Sequence, residues 1–469
     1  MNNIYKKAYP LLLAGNLMLI ANQPMAESNT NSSTSIIDIY EQSLIYDAKL
    51  KAAQATLEAK LTIGAKSRAI VMPQLNLVGN TTLNDIEIER ESSASPSPTG
   101  FDINSIFKNE LRYNSNAVTL SLSQPINFQA IYLMSQAGAL QQQARLEYQL
   151  AEQDLLFRVG KAYLEYLIIQ DELKLANAER DAIEEQKNKA EAAFEVGAAS
   201  VTDKHEAQAA YDLIAARLVA IETNLQNKYY EIADLVGTEP GDIPSFEGEL
   251  DLDAPAMQVP SAEELVTVAQ KANGQLNLAR IGHHVAKKEV ARLRAKRLPV
   301  ISLNASYTES SENDSAFGSP SDSDATLYSI NGQLPLFTGG LRSAEIKEAI
   351  GNREAAHQNV VHLGRTIPRQ VKEAARNLQT TRRQVSAFRR SLRSAELLLA
   401  STELGFEVGQ RTAGDVLAAQ QRLYGAQTNH AQAQYQYLLQ LLGISLTIGT
   451  LSKQDLELVD HILTPKENS

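Results

Sequence analysis

The sequence predicts a mainly α-helical fold that carries a small set of membrane β-strands, written twice along the chain. Three observations predict it. Two stretches, 129–195 and 340–407, are dominated by helix formers, and the first contains no proline. Four short segments alternate apolar with uncharged polar residues. The same short motifs recur in the same order, 209 to 226 residues apart, and such self-similarity marks a duplicated architecture. Composition agrees with helix over sheet: aromatics are only 6% of 469 residues, while Ala, Leu, Gln and Glu are plentiful.

The chain opens with an address. Lys6 and Lys7 precede the apolar run 11–21, and small Ala26 precedes Glu27. With an N-terminal membrane anchor as the alternative, this reads as a secretory signal over 1–26, too short for a comfortable span. Its removal takes away two Lys and no acid, so the net charge moves from −11 to −13. No later apolar run approaches the roughly 18–20 residues of a membrane helix, so any crossing is expected by strands. The absence of Cys excludes disulfides, thiolate metal sites, Cys nucleophiles and a lipidated Cys anchor. The acidic balance argues against a nucleic-acid partner.

The first repeat, 27–238, is expected to hold a helix over 36–70 and a strand near 73–84. A Pro/Ser/Gly loop at 91–100 cannot continue a ladder. A strand near 117–125, a helix over 129–195, a turn and a helix over 201–237 follow. The segment 239–260, rich in Pro, Gly and acids, separates the halves. The second repeat, 261–449, reads as a helix over 261–297, strands near 299–308 and 326–334, and helices over 340–407 and 413–447. A tail, 450–469, completes the chain. At 1.5 Å per residue each long helix spans roughly 100 Å, and two of the shorter ones stacked end to end match it. Leu155, Val159, Ala162, Tyr166, Ile169, Leu173 and Ala176 alternate four- and three-residue steps, the seam of a coiled coil. Leu156, Tyr163 and Leu167 add a second stripe, which implies neighbours on two sides, as in a ring. Pro368, with Gly351 and Gly364 before it, predicts a bend in the second long helix.

In the strands Leu75, Leu77 and Leu83 alternate with Gln74, Asn76, Thr82 and Asn84, and Val118, Leu120 and Leu122 with Thr119, Ser121 and Ser123. Ile301, Leu303, Ala305 and Tyr307 alternate with Ser302, Asn304, Ser306 and Thr308, and Tyr328, Ile330 and Leu334 with Ser329, Asn331 and Gln333. One greasy face opposite one uncharged polar face suits lipid outside and water inside. Four strands cannot close a barrel, and open edges do not survive in lipid. The barrel is therefore shared between chains, and three copies give twelve strands with a lumen. The helices scale identically, so a homotrimeric conduit is expected.

The echoes are specific. Met72-Pro73-Gln74-Leu75-Asn76-Leu77 returns as Leu298-Pro299-Val300-Ile301-Ser302-Leu303, and Gln124-Pro125-Ile126-Asn127-Phe128 as Gln333-Leu334-Pro335-Leu336-Phe337. Phe194-Glu195-Val196-Gly197 with Asp203 returns as Phe406-Glu407-Val408-Gly409 with Asp415. Together with Leu334-Pro335-Leu336-Phe337-Thr338-Gly339-Gly340, these motifs make the mature chain resemble the TolC family of outer-membrane factors, exit ducts of drug efflux and type I secretion. The resemblance implies a trimer with a 12-stranded β-barrel in outer-membrane lipid and a 12-helix periplasmic α-barrel. It also implies an equatorial girdle, assigned to 239–260 and the tail from 450. The implied partners are a periplasmic adaptor (membrane fusion) protein and an inner-membrane efflux pump or ABC transporter. No cofactor is implied.

The turns Val196-Gly197-Ala198-Ala199-Ser200 and Val408-Gly409-Gln410-Arg411-Thr412 are expected as tight helix reversals, with Gly where φ must be positive. They would form the periplasmic tip and the place where the adaptor docks. The resemblance maps gate contacts onto Thr202 and Asp203 of one hairpin and Arg411 of the other. A guanidinium–carboxylate link there would be directional and breakable. Asp203 also suits a plain helix cap. The resemblance makes Asp415 the acid of a cation-selecting constriction. Model members of the family carry a second acid three residues later, where this chain has Ala418; Glu206, at the same offset after Asp203, is the candidate replacement. Phe406 stands where model members carry a Tyr that ties the tip, so closure would lean on Arg411.

Other constellations are empty. His283 and His284 are adjacent and point apart on a helix, Glu184-Glu185 reads as a solvated face, and no catalytic motif is present. A secreted enzyme is disfavoured because no catalytic or metal site assembles. The alternative to a channel is a non-channel periplasmic coiled-coil scaffold, which the helices alone would fit equally well. The lumen does not encode the cargo.

Overall fold

The computed structural model describes residues 34–87, 110–314 and 319–463, apart from positions 198, 247, 255, 256, 258 and 259. The signal segment 1–26, the loop 91–100 and the end of the tail lie outside the described residues. The first half of the chain forms α1 (Ile36–Tyr46), α2 (Ala48–Leu61), α3 (Ile63–Ala69), β1 (Gln74–Glu87), β2 (Glu110–Asn127), α4 (Phe128–Glu195) and α5 (Val201–Val236). The second half forms α6 (Ala262–Ala272), α7 (Gly274–Ala295), β3 (Val300–Glu312), β4 (Ser321–Gln333), α8 (Leu341–Glu407) and α9 (Ala413–Ile448), closed by α10 (Lys453–Leu463).

The spacing predicts single helices over 36–70 and 261–297, and the chain breaks both. Asp47 and Asn273 leave helical geometry, at ψ 115 and 119, and each side chain accepts the backbone N–H three residues on to cap the next helix. A second break falls at Thr62. At Asp47 and Asn273 a short polar side chain wins a local competition against helix propagation, whereas Thr62 makes no side-chain cap. α8 continues through Pro368 as one helix.

The four strands form one antiparallel sheet in the order β1-β2-β3-β4. Its register stacks like on like. Leu75 faces Leu122 and Leu77 faces Leu120, Leu120 faces Tyr307, and Leu303 faces Ile330. Leu77 and Ile330 are 71% and 76% exposed. The opposite face is knitted by polar pairs: Thr119 with Thr308 at 2.9 Å, Ser123 to Asn304 at 2.8 Å, and Ser310 with Ser323 at 2.8 Å. β1 and β4 are the edges of this sheet, and their unpaired ladders require partner strands wherever the greasy face meets lipid.

Below the sheet, α4 and α8 have 68 and 67 residues. The main core sits at their middles. Leu155, Val159, Leu164 and Leu167 of α4 and Tyr435, Leu438 and Leu442 of α9 pack with α1, α10 and the segment between α5 and α6. That segment buries Ile243, Leu250, Leu252 and Met257 in the core, and its backbone is held as well. The Leu250 N–H donates to Gln434 Oε1 at 2.7 Å, the Ile243 carbonyl accepts from Gln170 Nε2 at 2.9 Å, and the Met257 carbonyl from the Tyr437 hydroxyl at 3.2 Å. A second cluster toward the far ends joins Ile183, Ile214, Leu218, Ile221 and Leu417.

Candidate functional site

The far ends of the long helices carry two equivalent reversals. Gly197 and Gly409 take φ of 74° and 72°, the left-handed region where a Cβ is penalised. The Gly197 N–H donates to the Phe194 carbonyl and the Gly409 N–H to the Phe406 carbonyl, both at 3.0 Å, which satisfies carbonyls a helix end leaves open. Beside these glycines Val196 and Val408 stand 80% and 68% exposed. Two bare apolar tips of this kind are surface that a partner can cover.

After each turn a capping box starts the return helix. Ser200 Oγ accepts the Asp203 N–H at 3.1 Å, while the Asp203 carboxylate accepts the Ser200 N–H at 3.0 Å and its hydroxyl at 2.8 Å. Thr412 and Asp415 repeat this at 3.1, 3.0 and 3.1 Å. Two orphan backbone donors are satisfied reciprocally. The backbone N–H of the cap residue, and then its hydroxyl, hold both carboxyls below the usual carboxylate range. Both acids are therefore charged at neutral pH.

Arg411 Nη1 lies 4.0 Å from Asp415 Oδ1, one turn along the same chain. Among the described residues no ion pair joins Arg411 to Asp203, so within one chain the expected inter-hairpin link is not made. Thr202 is exposed in the first turn of α5. Glu206 crosses to the other hairpin: a Cβ built on Gly414 would stand 3.0 Å from its Oε2. The absence of a side chain at Gly414 thus brings Glu206 beside the first turn of α9, next to Asp415. Ala418 leaves that turn with a single acid of its own.

One tie at the tip escapes the sequence reading. Lys204 Nζ binds Glu191 Oε1 at 2.7 Å and sits 5.6 Å from the centre of the Phe194 ring, locking α5 to α4 just behind the turn. Its signal was available, a Lys and a Glu placed on either side of the Val-Gly turn. Among the described residues no group of three His, Asp or Glu is placed to hold a metal ion.

An open-edged sheet with one exposed apolar face, continued into helices of this length, is one protomer of a membrane channel whose barrel several chains complete. The chain belongs to the outer membrane efflux protein family, whose sequence profile matches residues 39–238 and 265–450. It is 30% identical over 453 residues to the outer membrane protein TolC of Vibrio cholerae, covering 96% of this chain and 97% of that one. It is 28% identical over 430 residues to the alkaline protease secretion protein AprF of Pseudomonas aeruginosa, covering 90% and 86%. The crystal structure of the CmeC outer membrane channel of Campylobacter jejuni shares the fold, with a TM-score of 0.74 over 99% of this chain and 98% of that one at 16% identity. The protein is an outer-membrane exit duct with a periplasmic helical extension, in a family of channels rather than enzymes.

Proposed function

We propose that the trimer is the passive last stage of a tripartite export assembly, closed at its helical tip until a periplasmic adaptor engages it. An inner-membrane efflux pump or ABC transporter supplies the energy. The observation that carries this reading is the tip itself: two capped, glycine-turned hairpins per chain, each with a bare valine at its apex and charged groups one turn behind. Val196, Gly197, Val408 and Gly409 are the docking surface. In the trimer Thr202 and Asp203 of one copy reach Arg411 of the next, and breaking that contact lets the hairpins part. Asp415, with Glu206 held beside Gly414, lines the narrowest point with acids and selects cations.

Single-channel recording in a planar bilayer tests this. Wild type should show a small, cation-selective conductance, and Arg411→Ser should enlarge it. An unchanged conductance in that variant would remove Arg411 from the gate. A stable trimer with no conductance in any tip variant would favour the scaffold reading.

A further inference from the structure

The chain is acidic overall at −11, yet the residues just below the sheet are strongly basic: 63–73, 128–146, 284–299 and 334–353 hold twelve Lys and Arg against three Glu. The opposite strand ends invert this, with seven Asp and Glu against one Arg over 85–87, 110–112, 309–312 and 321–324. Such segregation costs the fold through self-repulsion and presents a field to its surroundings. On the basic side a cavity of about 600 Å³ opens between α4, α7 and α8, lined by Tyr132, His284, Lys287, Lys288, Arg294 and Arg353 among others. Among the described residues none of these four cations makes an ion pair, whereas Arg292 and Lys296 on the same helix are engaged with Glu289 and Glu345.

The cavity is amphipathic along its length. It runs roughly 20 Å along α7 and the turn that follows it, from His284 to Leu298. Toward the sheet it ends on Ala295 and Leu298, with Arg294 directly before them, and Leu298 stands two residues before β3 enters the barrel. Phe128 and Ile131 are exposed at the same level. A soluble anion uses only the basic end, whereas a phospholipid uses both. We propose that this cavity binds an anionic phospholipid of the periplasmic leaflet, its phosphodiester held by Lys287, Lys288, Arg294 and Arg353 and its upper glycerol and acyl region laid against Tyr132 and Leu298. Basic clusters flanking a membrane segment attract anionic headgroups additively, and three copies would fix the height of the duct against the membrane.

Native mass spectrometry of the detergent-solubilised trimer, titrated with phosphatidylglycerol or phosphatidylethanolamine, tests it. Wild type should prefer phosphatidylglycerol, and Lys287→Gln/Lys288→Gln/Arg353→Gln should weaken that lipid on the order of 100-fold while leaving phosphatidylethanolamine unchanged. Glycerol 3-phosphate should not displace it. Equal affinity for the two lipids overturns the proposal, as does complete displacement by glycerol phosphate, which would make this a soluble-anion site. A triple variant that keeps its lipid preference but changes ion selectivity would instead assign the cations to the lumen, and also overturns it. Should the triple variant fail to assemble, a wild-type preference that 1 M salt leaves untouched overturns it equally, because contacts of this kind are screened.

Discussion

The aliphatic stem of Arg411 lies across the backbone of Gly405, so that a Cβ built at Gly405 would stand 2.8 Å from Arg411 Cγ. The corresponding pair in the first hairpin, 212 residues earlier, is Ala193 and Ala199. Only the second hairpin carries the long cation, and only there is the facing residue a glycine. The Gln410 and Arg411 N–H groups both donate to the Gly405 carbonyl, at 2.8 and 3.1 Å, which fixes where the side chain starts. Gly405 therefore positions Arg411.

Gly405→Ala should separate position from stability. Alanine favours the helix by about 0.5–1 kcal/mol over glycine, and the clash is with a flexible side chain, so thermal unfolding of the trimer should not fall. The displaced guanidinium should nevertheless loosen closure. Single-channel conductance is expected to rise toward that of Arg411→Ser, and conductance equal to wild type would show that the Gly405 contact does not matter.

Asp47 is the charged member of a repeat pair whose partner is Asn273. Both cap the next helix, but Asp47 also takes a bidentate bond from Arg158 at 2.9 and 3.0 Å. Burial raises its pKa, yet the Arg158 bond, the Leu50 N–H and the neighbouring positive charges outweigh that and hold it low. Asp47→Asn keeps the cap and removes the charge. It should cost about 1.5–3 kcal/mol, the range for bonds to charged groups, moderated by Arg158 keeping Asp154 at 2.8 Å. Because the folded pKa is depressed, this stability is present above the ordinary Asp pKa of about 3.9 and lost as pH falls below it. Urea unfolding at pH 7 and pH 3 should show the variant and wild type converging at the lower pH.

The same pair shows what the sequence did and did not disclose. The fold class was legible because alternation in the strands and helix-forming composition elsewhere are both long-range signals. The breaks at Asp47 and Asn273 were not, because one capping residue inside a helix-forming run carries little weight alone. They sit 226 residues apart, the offset of the Met72 and Leu298 echo, so aligning the repeats residue by residue exposes them. At the tip, the Ser200–Asp203 and Thr412–Asp415 spacing is a local pattern open to reading. The approach of Glu206 to Gly414 is not, since it depends on how α5 packs beside α9.

The greasy face of the sheet predicts a depth-dependent penalty. Val118, at the midpoint of β2, faces Gly79 in the β1–β2 ladder, so Val118→Arg should cost about 2–4 kcal/mol, the range for a cation at the bilayer midplane. Ser121→Leu, on the opposite face of the same ladder, should be tolerated. Heat-resistant trimers on SDS gels report both: loss for the first and retention for the second. The reverse outcome would exchange the lipid and lumen faces.

The two capping acids give the tip an acid limit with a definite sign. Asp203 and Asp415 have depressed folded pKa values, caused by the cap N–H groups and then by the hydroxyls. Their contribution is complete above the ordinary carboxylate range and is lost as pH falls through the lower folded values. Amide exchange of residues 200–206 and 412–418 should therefore be unchanged between pH 7 and 5, once corrected for intrinsic rates, and rise selectively below about pH 4. Ser200→Ala removes one side of the first box and should raise exchange in α5 at pH 7, by about 1 kcal/mol of local stability, without touching α9. Equal loosening of both hairpins in that variant would mean that the two tips open as one unit, coupled through contacts such as Glu206 against Gly414 rather than held by separate caps.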